Sequence, residues 1–296
     1  MLTADELRQI RRLHLQASRK VSSPFSGEYR SAFRGQGMEF EEVRPYVPGN
    51  DVRRIDWNVT ARTDTPHVRE YLEDRDVTTW LLLDRSQSMG FGPIERRKHL
   101  VLAELAATVA QLLTRGGNRI GAVLFDSEVD EVLRPASGRN QVLRILSRLL
   151  LTPPVKAGRR TTALAVPLRA ALGIARRRSL VVIISDFITE PGWERPLAQL
   201  AHRHDVVALQ VVDRREFELP PVGMIYVEDA ETGEQIFVNS DDPAFQRRLQ
   251  AAAQARQSAL SAATRRAGVD LFTVATDEDL VRSLARIAEL RRRRRR

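Results

Sequence analysis

The chain has 296 residues, of which 43% are hydrophobic and 29% are charged, and its formal net charge is +9. This apolar content can bury one large core, so a disordered chain is excluded. The sequence contains no cysteine, which excludes disulfides, thiolate metal sites and a cysteine nucleophile and is typical of a reducing compartment. No apolar run approaches the roughly 20 residues of a membrane span, and the N-terminus lacks a signal-peptide pattern. We therefore expect a cytoplasmic protein without an integral membrane segment.

The first 20 residues are predicted to form an amphipathic helix. Its apolar side chains recur at helical spacing, and they are Leu7, Ile10, Leu13 and Ala17. We expect this helix to dock on the body of the protein or on a neighbouring chain. Residues 21–76 contain many glycines and prolines between short aromatic and charged pieces, which predicts a loop-rich extension.

From residue 77 to residue 290 the pattern alternates between strands and helices. Three strand-like segments are apolar on both faces, and they read VTTWLLLD, SLVVIISD and DVVALQVV. Strands without polar alternation are typical of the middle of a parallel sheet that helices cover on both sides. The sequence therefore predicts an α/β fold with a doubly wound, Rossmann-like sheet.

A β-hairpin is predicted within residues 222–239. Two strand-like runs there flank the turn-forming residues Glu231, Thr232 and Gly233. The hairpin is expected to be inserted or appended beside the main sheet.

Two of the predicted strands end in an aspartate. Asp84 closes the first strand and is followed by Ser86 and Ser88, and Asp186 closes the strand SLVVIISD. In open parallel sheets, ligands bind outside the carboxyl ends of the strands, at the point where the strand order reverses. If these two strands flank that point, their carboxylates converge on one crevice.

A loop hydroxyl could complete this cluster of oxygens. Thr161 and Thr162 lie in the segment GRRTTAL, which opens the helix before the second of these strands. Magnesium prefers oxygen ligands and keeps water or a vacant position when the protein supplies few charges. The combination predicts a metal site made of two acids and three hydroxyls.

These residues resemble a von Willebrand factor A domain with a metal-ion-dependent adhesion site. The resemblance covers residues 77–213 and rests on Asp84-Arg85-Ser86-Gln87-Ser88-Met89, GNRIGAVLFDS, Thr162-Ala163-Leu164 and Ile184-Ser185-Asp186. It implies the von Willebrand factor A fold and a bound Mg²⁺, or Mn²⁺ or Ca²⁺ in its place. It also implies a ligand set with three positions in the first loop, one in the second and one in the third, namely Asp84, Ser86, Ser88, Thr162 and Asp186. The adjacent Thr161 is an alternative ligand, and Phe187 stands where many such domains carry glycine.

The preceding segment resembles another family. The stretch RSAFRGQGMEFEEVRPYVPGNDVRRIDWNVTARTDTPHVREY is similar to the hallmark region of the bacterial domain of unknown function 58 family. Members of that family occur beside MoxR-type AAA+ ATPases, so the resemblance implies a binding partner of this type. It implies a protein-binding role rather than a known enzymatic activity.

Six arginines end the chain and account for six of its nine net positive charges. They are Arg291, Arg292, Arg293, Arg294, Arg295 and Arg296. No aromatic residues are interleaved with them and no base-reading motif precedes them, so a solvated basic tail over residues 291–296 is favoured over nucleic-acid binding.

The main functional hypothesis is a metal-dependent protein-binding module, in which a Glu or Asp of a partner completes the coordination of Mg²⁺. One alternative is a magnesium-dependent phosphohydrolase that uses Asp84 as the nucleophile. That chemistry usually needs a second acid two residues further on, and Ser86 occupies this place. The other alternative is nucleic-acid binding through the arginine-rich segments.

Overall fold

The computed structural model describes most of the chain, namely residues 4–21, 41–47, 52, 55–63, 65–71, 78–93, 96–114, 117–151, 162–228 and 235–295. The chain divides into two compact units. The smaller unit is Arg34–Val77, and the larger unit comprises Met1–Phe33 and Thr78–Arg296. The smaller unit thus begins later than the extension predicted over residues 21–76.

The helices and strands are numbered here in chain order. The described helices are α1 Ala4–Val21, α2 Trp57–Thr63, α3 Lys98–Thr114, α4 Arg139–Leu151, α5 Ala165–Ile174, α6 Glu194–Arg203, α7 Pro243–Arg266 and α8 Leu280–Arg295. The described strands are β1 Glu41–Pro45, β2 His67–Tyr71, β3 Thr79–Asp84, β4 Ile120–Phe125, β5 Val129–Ala136, β6 Leu180–Ser185, β7 Asp205–Val212, β8 Met224–Glu228, β9 Gln235–Asn239 and β10 Asp270–Ala275. Short 3-10 turns cover Gln87–Gly90 and Arg214–Glu216.

The smaller unit contains a two-stranded antiparallel sheet of β1 and β2, with α2 between the strands in sequence. Val68 on β2 is buried, and Ile55 bridges to it. The carboxylate of Asp56 accepts a 3.3 Å hydrogen bond from the backbone N–H of Val59, which satisfies one free donor in the first turn of α2. The described residues of this unit therefore include short regular elements within the predicted loop-rich extension.

Six strands form the main sheet of the larger unit, in the order β5-β4-β3-β6-β7-β10. All neighbouring strands are parallel except β4 and β5, which are antiparallel. Chain order runs outward in both directions from β3 and β6, so the strand order reverses between these two strands. The predicted doubly wound α/β fold is confirmed.

Helices cover both faces of this sheet. On one face, Trp80 and Leu82 of β3 join a core cluster with side chains from α5, α6 and α7. On the opposite face, α3 lies against β3, β6 and β7. Because successive side chains of a strand point to opposite faces, β3 and β6 are buried along their whole length. This burial is why their sequences lack polar alternation.

Helix α1 docks on the larger unit itself. Its apolar stripe of Ile10, Leu13 and Ala17 is buried, and the helix contacts α3 and α4. This contact explains why α3, which has the sheet on one side and α1 on the other, is buried over most of its surface. No helix in the described parts of the chain is both long and apolar enough to cross a membrane.

The hairpin of β8 and β9 forms a separate two-stranded antiparallel sheet, as predicted for this region. Tyr226 and Phe237 pair directly across it, with ring centroids 4.6 Å apart, and both side chains are exposed. The predicted turn residues lie outside the described residues.

The last helix is longer than the sequence indicates, because α8 continues to Arg295. Arg291 is buried within it, and its Nη2 donates 2.7 Å hydrogen bonds to both carboxylate oxygens of Asp205. The prediction of a solvated tail beginning at Arg291 is therefore wrong for this residue. Arg291 has a structural role, because its ion pair joins the final helix to the first residue of β7. Arg296 lies outside the described residues.

Candidate metal site

The first loop of the site follows β3, at the point where the strand order reverses. The backbone N–H of Ser86 donates a 2.8 Å hydrogen bond to Asp84 Oδ1, and the hydroxyl oxygens of Ser86 and Ser88 are 3.0 Å apart. All three side chains are buried. The structure therefore brings the three predicted first-loop residues together as one cluster of oxygens.

Ser185, the last residue of β6, connects the first loop to the third. Its hydroxyl donates a 2.5 Å hydrogen bond to Asp84 Oδ2 and accepts one of 2.9 Å from the backbone N–H of Phe187. Ser185 was not among the predicted site residues. The pairing of Leu83 with Ile184 places the next residues, Asp84 and Ser185, side by side, and this register is not visible in the sequence.

Thr162 is buried and is fastened to the third loop through its backbone. Its carbonyl oxygen accepts hydrogen bonds of 2.8 Å from the Thr189 hydroxyl and 3.0 Å from the backbone N–H of Glu190. The Thr189 hydroxyl also accepts a 3.0 Å hydrogen bond from the backbone N–H of Leu164. These bonds hold the second loop against the segment that follows Asp186. The alternative ligand Thr161 lies outside the described residues.

Phe187 adopts a backbone conformation that is rare for residues with a side chain. Its φ angle is +59°, in the left-handed region where glycine is favoured. The ring is nevertheless buried and packs against Trp193, with centroids 6.2 Å apart. Core packing of the ring offsets the conformational cost, which explains how phenylalanine is accommodated at a position with positive φ.

Lys98 is a cation built into the site that the sequence did not reveal. It is the first residue of α3, and its side chain is fully buried. Its Nζ donates a 2.7 Å hydrogen bond to Asp186 Oδ2 and also bonds to Glu216 Oε1 in the turn after β7. In the sequence Lys98 follows Glu95, Arg96 and Arg97 and looks like part of a solvated charge run.

Burial and like charge shift the ionisation of these groups. The pKa of Asp84 is raised to about 7, mainly by burial and also by the nearby negative charge of Asp186. Hydrogen bonds from Ser185 and Ser86 oppose this shift. Burial lowers the pKa of Lys98, but the charges of Asp186 and Glu216 outweigh it and leave the pKa above its usual range. Burial also raises the pKa of Glu216, although the charge of Lys98 opposes this.

The described charges of this cluster are mostly acidic. Asp84, Asp186 and Glu216 lie near the single ammonium of Lys98, and the buried Asp213 is joined to Glu216 through its backbone N–H. Among the described residues, no group of three or more His, Cys, Asp or Glu could hold a metal ion. Carboxylate and hydroxyl oxygens are the ligands that Mg²⁺ prefers, and the residues present fit that chemistry.

A comparison with known protein families gives one match that covers most of the chain. The family described as "Protein of unknown function DUF58" matches residues 42–259. The chain belongs to this family. The match spans both compact units and includes the whole candidate site.

The chain is similar to several mycobacterial proteins. The chain is 37% identical over 284 residues to Uncharacterized protein Rv1480 of Mycobacterium tuberculosis and to Uncharacterized protein Mb1516 of Mycobacterium bovis, which covers 96% of this chain and 89% of each relative. Uncharacterized protein MAV169 of Mycobacterium avium is 36% identical over 160 residues, or 53% of this chain and 92% of the relative.

Solved structures resemble the fold at low sequence identity. BatB from Bacteroides thetaiotaomicron aligns with a TM-score of 0.47 at 14% identity, over 73% of this chain and 99% of that chain. An aerotolerance-related membrane protein from Bacteroides fragilis gives 0.46 at 16% identity, over 74% and 99%. The SpRpn10 VWA domain gives 0.40 at 13% identity, over 70% and 93%. The fold assignment rests on the strand order described above, and the cytoplasmic location stays a prediction.

Proposed function

We propose that this DUF58 protein is a metal-dependent protein-binding module of the von Willebrand factor A type. The observation that carries the proposal is the buried cluster of two strand-terminal carboxylates and neighbouring hydroxyls at the point where the strand order reverses. The residues that would hold Mg²⁺, or Mn²⁺ or Ca²⁺ in its place, are Asp84, Ser86, Ser88, Thr162 and Asp186. When bound, the cation would supply an electropositive coordination position for a Glu or Asp carboxylate of a partner.

The surrounding residues orient the two acids. Both oxygens of Asp84 accept hydrogen bonds, one from the Ser86 N–H and one from Ser185. The backbone N–H of Ile188 donates a 2.9 Å hydrogen bond to Asp186 Oδ1, and Lys98 engages the other oxygen. Asp84 is 1% exposed, and its engaged oxygens disfavour the alternative in which it attacks a phosphate ester.

The partner that we propose is a MoxR-type AAA+ ATPase. The support is the similarity of the upstream segment to a family whose members occur beside such ATPases. A partner carboxylate would bind this site only through the cation, because the site's own charges are mostly negative.

A thermal-shift titration with Mg²⁺ tests the metal site. The melting temperature of the wild type is expected to rise with Mg²⁺, whereas that of Asp84→Asn is expected to stay unchanged. Asp205→Asn is the matched control, because it alters an aspartate of the same sheet that pairs with Arg291 at the opposite strand end. Equal shifts in the wild type and Asp84→Asn would contradict the site.

A second experiment tests the partner. The purified MoxR-type ATPase should bind the immobilised wild-type chain in Mg²⁺ and be released by EDTA. Asp205→Asn should retain this EDTA-sensitive binding, and Asp84→Asn should lose it. Binding that EDTA does not affect would show that the metal position does not carry the interaction.

A further inference from the structure

Lys98 is placed where a lysine is costly. The ammonium is fully buried, and it belongs to the first residue of α3, where the helix dipole disfavours a positive charge. Two carboxylates that contact the ammonium offset these costs, namely Asp186 and Glu216. They lie in loops at the carboxyl ends of the neighbouring strands β6 and β7. A lysine held in this way cannot reach a partner, so any effect on binding must act through the residues that it contacts.

Glu216 is the second carboxylate that contacts the ammonium of Lys98. Besides bonding to Lys98, its second carboxylate oxygen accepts a 3.3 Å hydrogen bond from the backbone N–H of Asp213. Asp213 in turn accepts a 2.5 Å hydrogen bond from the Thr276 hydroxyl. Glu216 is therefore linked, through Asp213, to Thr276, the residue that follows the last strand of the sheet.

The charge of Lys98 decides how the site receives an anion. With a divalent cation bound, the positive charge of Lys98 makes the cluster less repulsive to a partner carboxylate. Without the ammonium, the same cluster would carry one more negative charge and would repel a carboxylate more strongly. The extra negative charge would at the same time hold the cation itself more tightly.

We propose that Lys98 is a positioning residue that weakens binding of the metal alone and strengthens binding of a carboxylate by the metal-loaded site. This inference rests on the proposed function and deepens it by assigning the selectivity for a carboxylate to a buried lysine outside the ligand set. Lys98 acts through Asp186, whose second oxygen it holds.

The test measures two affinities in the same protein. Mn²⁺ binding is followed by electron paramagnetic resonance, first alone and then with increasing acetate, which serves as the carboxylate probe. In the wild type, acetate is expected to tighten the apparent affinity for Mn²⁺. In Lys98→Met, Mn²⁺ alone is expected to bind about tenfold more tightly, and the effect of acetate is expected to disappear.

Two further variants separate charge from structure. Lys98→Arg restores the positive charge and should return both affinities toward those of the wild type. Glu216→Gln removes one negative charge without touching a proposed ligand, so it should weaken Mn²⁺ binding and enlarge the effect of acetate. If Lys98→Met fails to fold, the direction of the Glu216→Gln changes decides the question.

The outcomes distinguish this inference from the proposed function. If the wild type binds no Mn²⁺, or binds it without any response to acetate, the proposed function fails. If the wild type behaves as proposed but Lys98→Met or Glu216→Gln moves both affinities in the same direction, or neither, Lys98 has only a structural role and the inference is overturned.

Discussion

Ser185 and Asp84 are joined by a 2.5 Å hydrogen bond that connects the ends of β6 and β3 across the point where the strand order reverses. Because the same hydroxyl accepts the backbone N–H of Phe187, one side chain sets both the orientation of the first acid and the path of the third loop. It supports a proposed ligand without being one, and such partners affect metal affinity strongly.

Replacing Ser185 by alanine tests this support. Ser185→Ala should lower the free energy of unfolding by about 1–3 kcal/mol, because a buried carboxylate oxygen and a backbone N–H lose their partner. It should also weaken Mg²⁺ binding by roughly 10- to 100-fold. The control is Ser179→Ala, which removes a buried hydroxyl bonded to the Arg177 carbonyl at the other end of the strand. The control should lose stability, as judged by urea unfolding, and keep the Mg²⁺ affinity measured by calorimetry.

The pKa of Asp84 predicts that protons and the cation compete. An acid whose pKa is raised from 3.8 to about 7 by folding is protonated in the metal-free protein at acidic pH, and its deprotonation destabilises that state as pH rises toward 7. Mg²⁺ affinity should therefore fall as pH falls below about 7, by on the order of tenfold per pH unit. Calorimetric titrations from about pH 5.5 to about pH 8, a range on both sides of this pKa, would measure how the Mg²⁺ affinity depends on pH. An affinity independent of pH would contradict the assignment.

Gly121 is required by the ring of Trp80, its direct partner across β3 and β4. A Cβ atom at Gly121 would lie 2.6 Å from Trp80 Cζ3 and 3.0 Å from the carbonyl oxygen of Leu133. Gly121→Ala should therefore cost about 1–3 kcal/mol in urea unfolding. Gly173→Ala is the matched control, because nothing lies within 4 Å of the added atom in α5, and it should be neutral or stabilising by up to about 1 kcal/mol. Similar effects of the two changes would refute this account of the strand contact.

The left-handed backbone of Phe187 predicts that a glycine variant is more stable than an alanine variant, the reverse of the usual order in a strand. Phe187→Ala and Phe187→Gly both lose the packing against Trp193, but only glycine relieves a cost of about 1–2 kcal/mol for the positive φ. Phe187→Gly should therefore unfold at higher urea concentration than Phe187→Ala. At Phe125 of β4, where the backbone φ is not positive, the alanine variant should be the more stable of the pair. The same order at both positions would contradict the proposed strain.

The main sheet could be predicted because its central strands are apolar at nearly every position, which indicates burial on both faces. The segments WLLLD and VVIISD have no polar alternation, and both proved to be buried on each face. The regular structure of the smaller unit was missed because its strands are short and polar, as in EEVRP. The end of α8 was missed because a run of arginines has no apolar stripe, although Arg291 is buried by its ion pair with Asp205.

The candidate site could be predicted in part for a similar reason. Asp84 and Asp186 stand at strand ends, and parallel strands bring such ends to one edge. The supporting residues depend on contacts between distant parts of the chain. Lys98 meets Asp186 across 88 positions and Glu216 across 118, so neither spacing nor periodicity indicates these pairs. Ser185 was overlooked because its role depends on the register between two strands.

The ion pair of Arg291 gives this terminal arginine a structural role in the last helix. Its Nη2 reaches Asp205 at the start of β7, and its Nε lies 3.6 Å from Asp270 at the start of β10. Arg291 therefore connects the last helix to the amino-terminal ends of two neighbouring strands of the sheet. Truncation after Leu290 therefore removes the contacts of Arg291 with Asp205 and Asp270, whereas truncation after Arg291 keeps them.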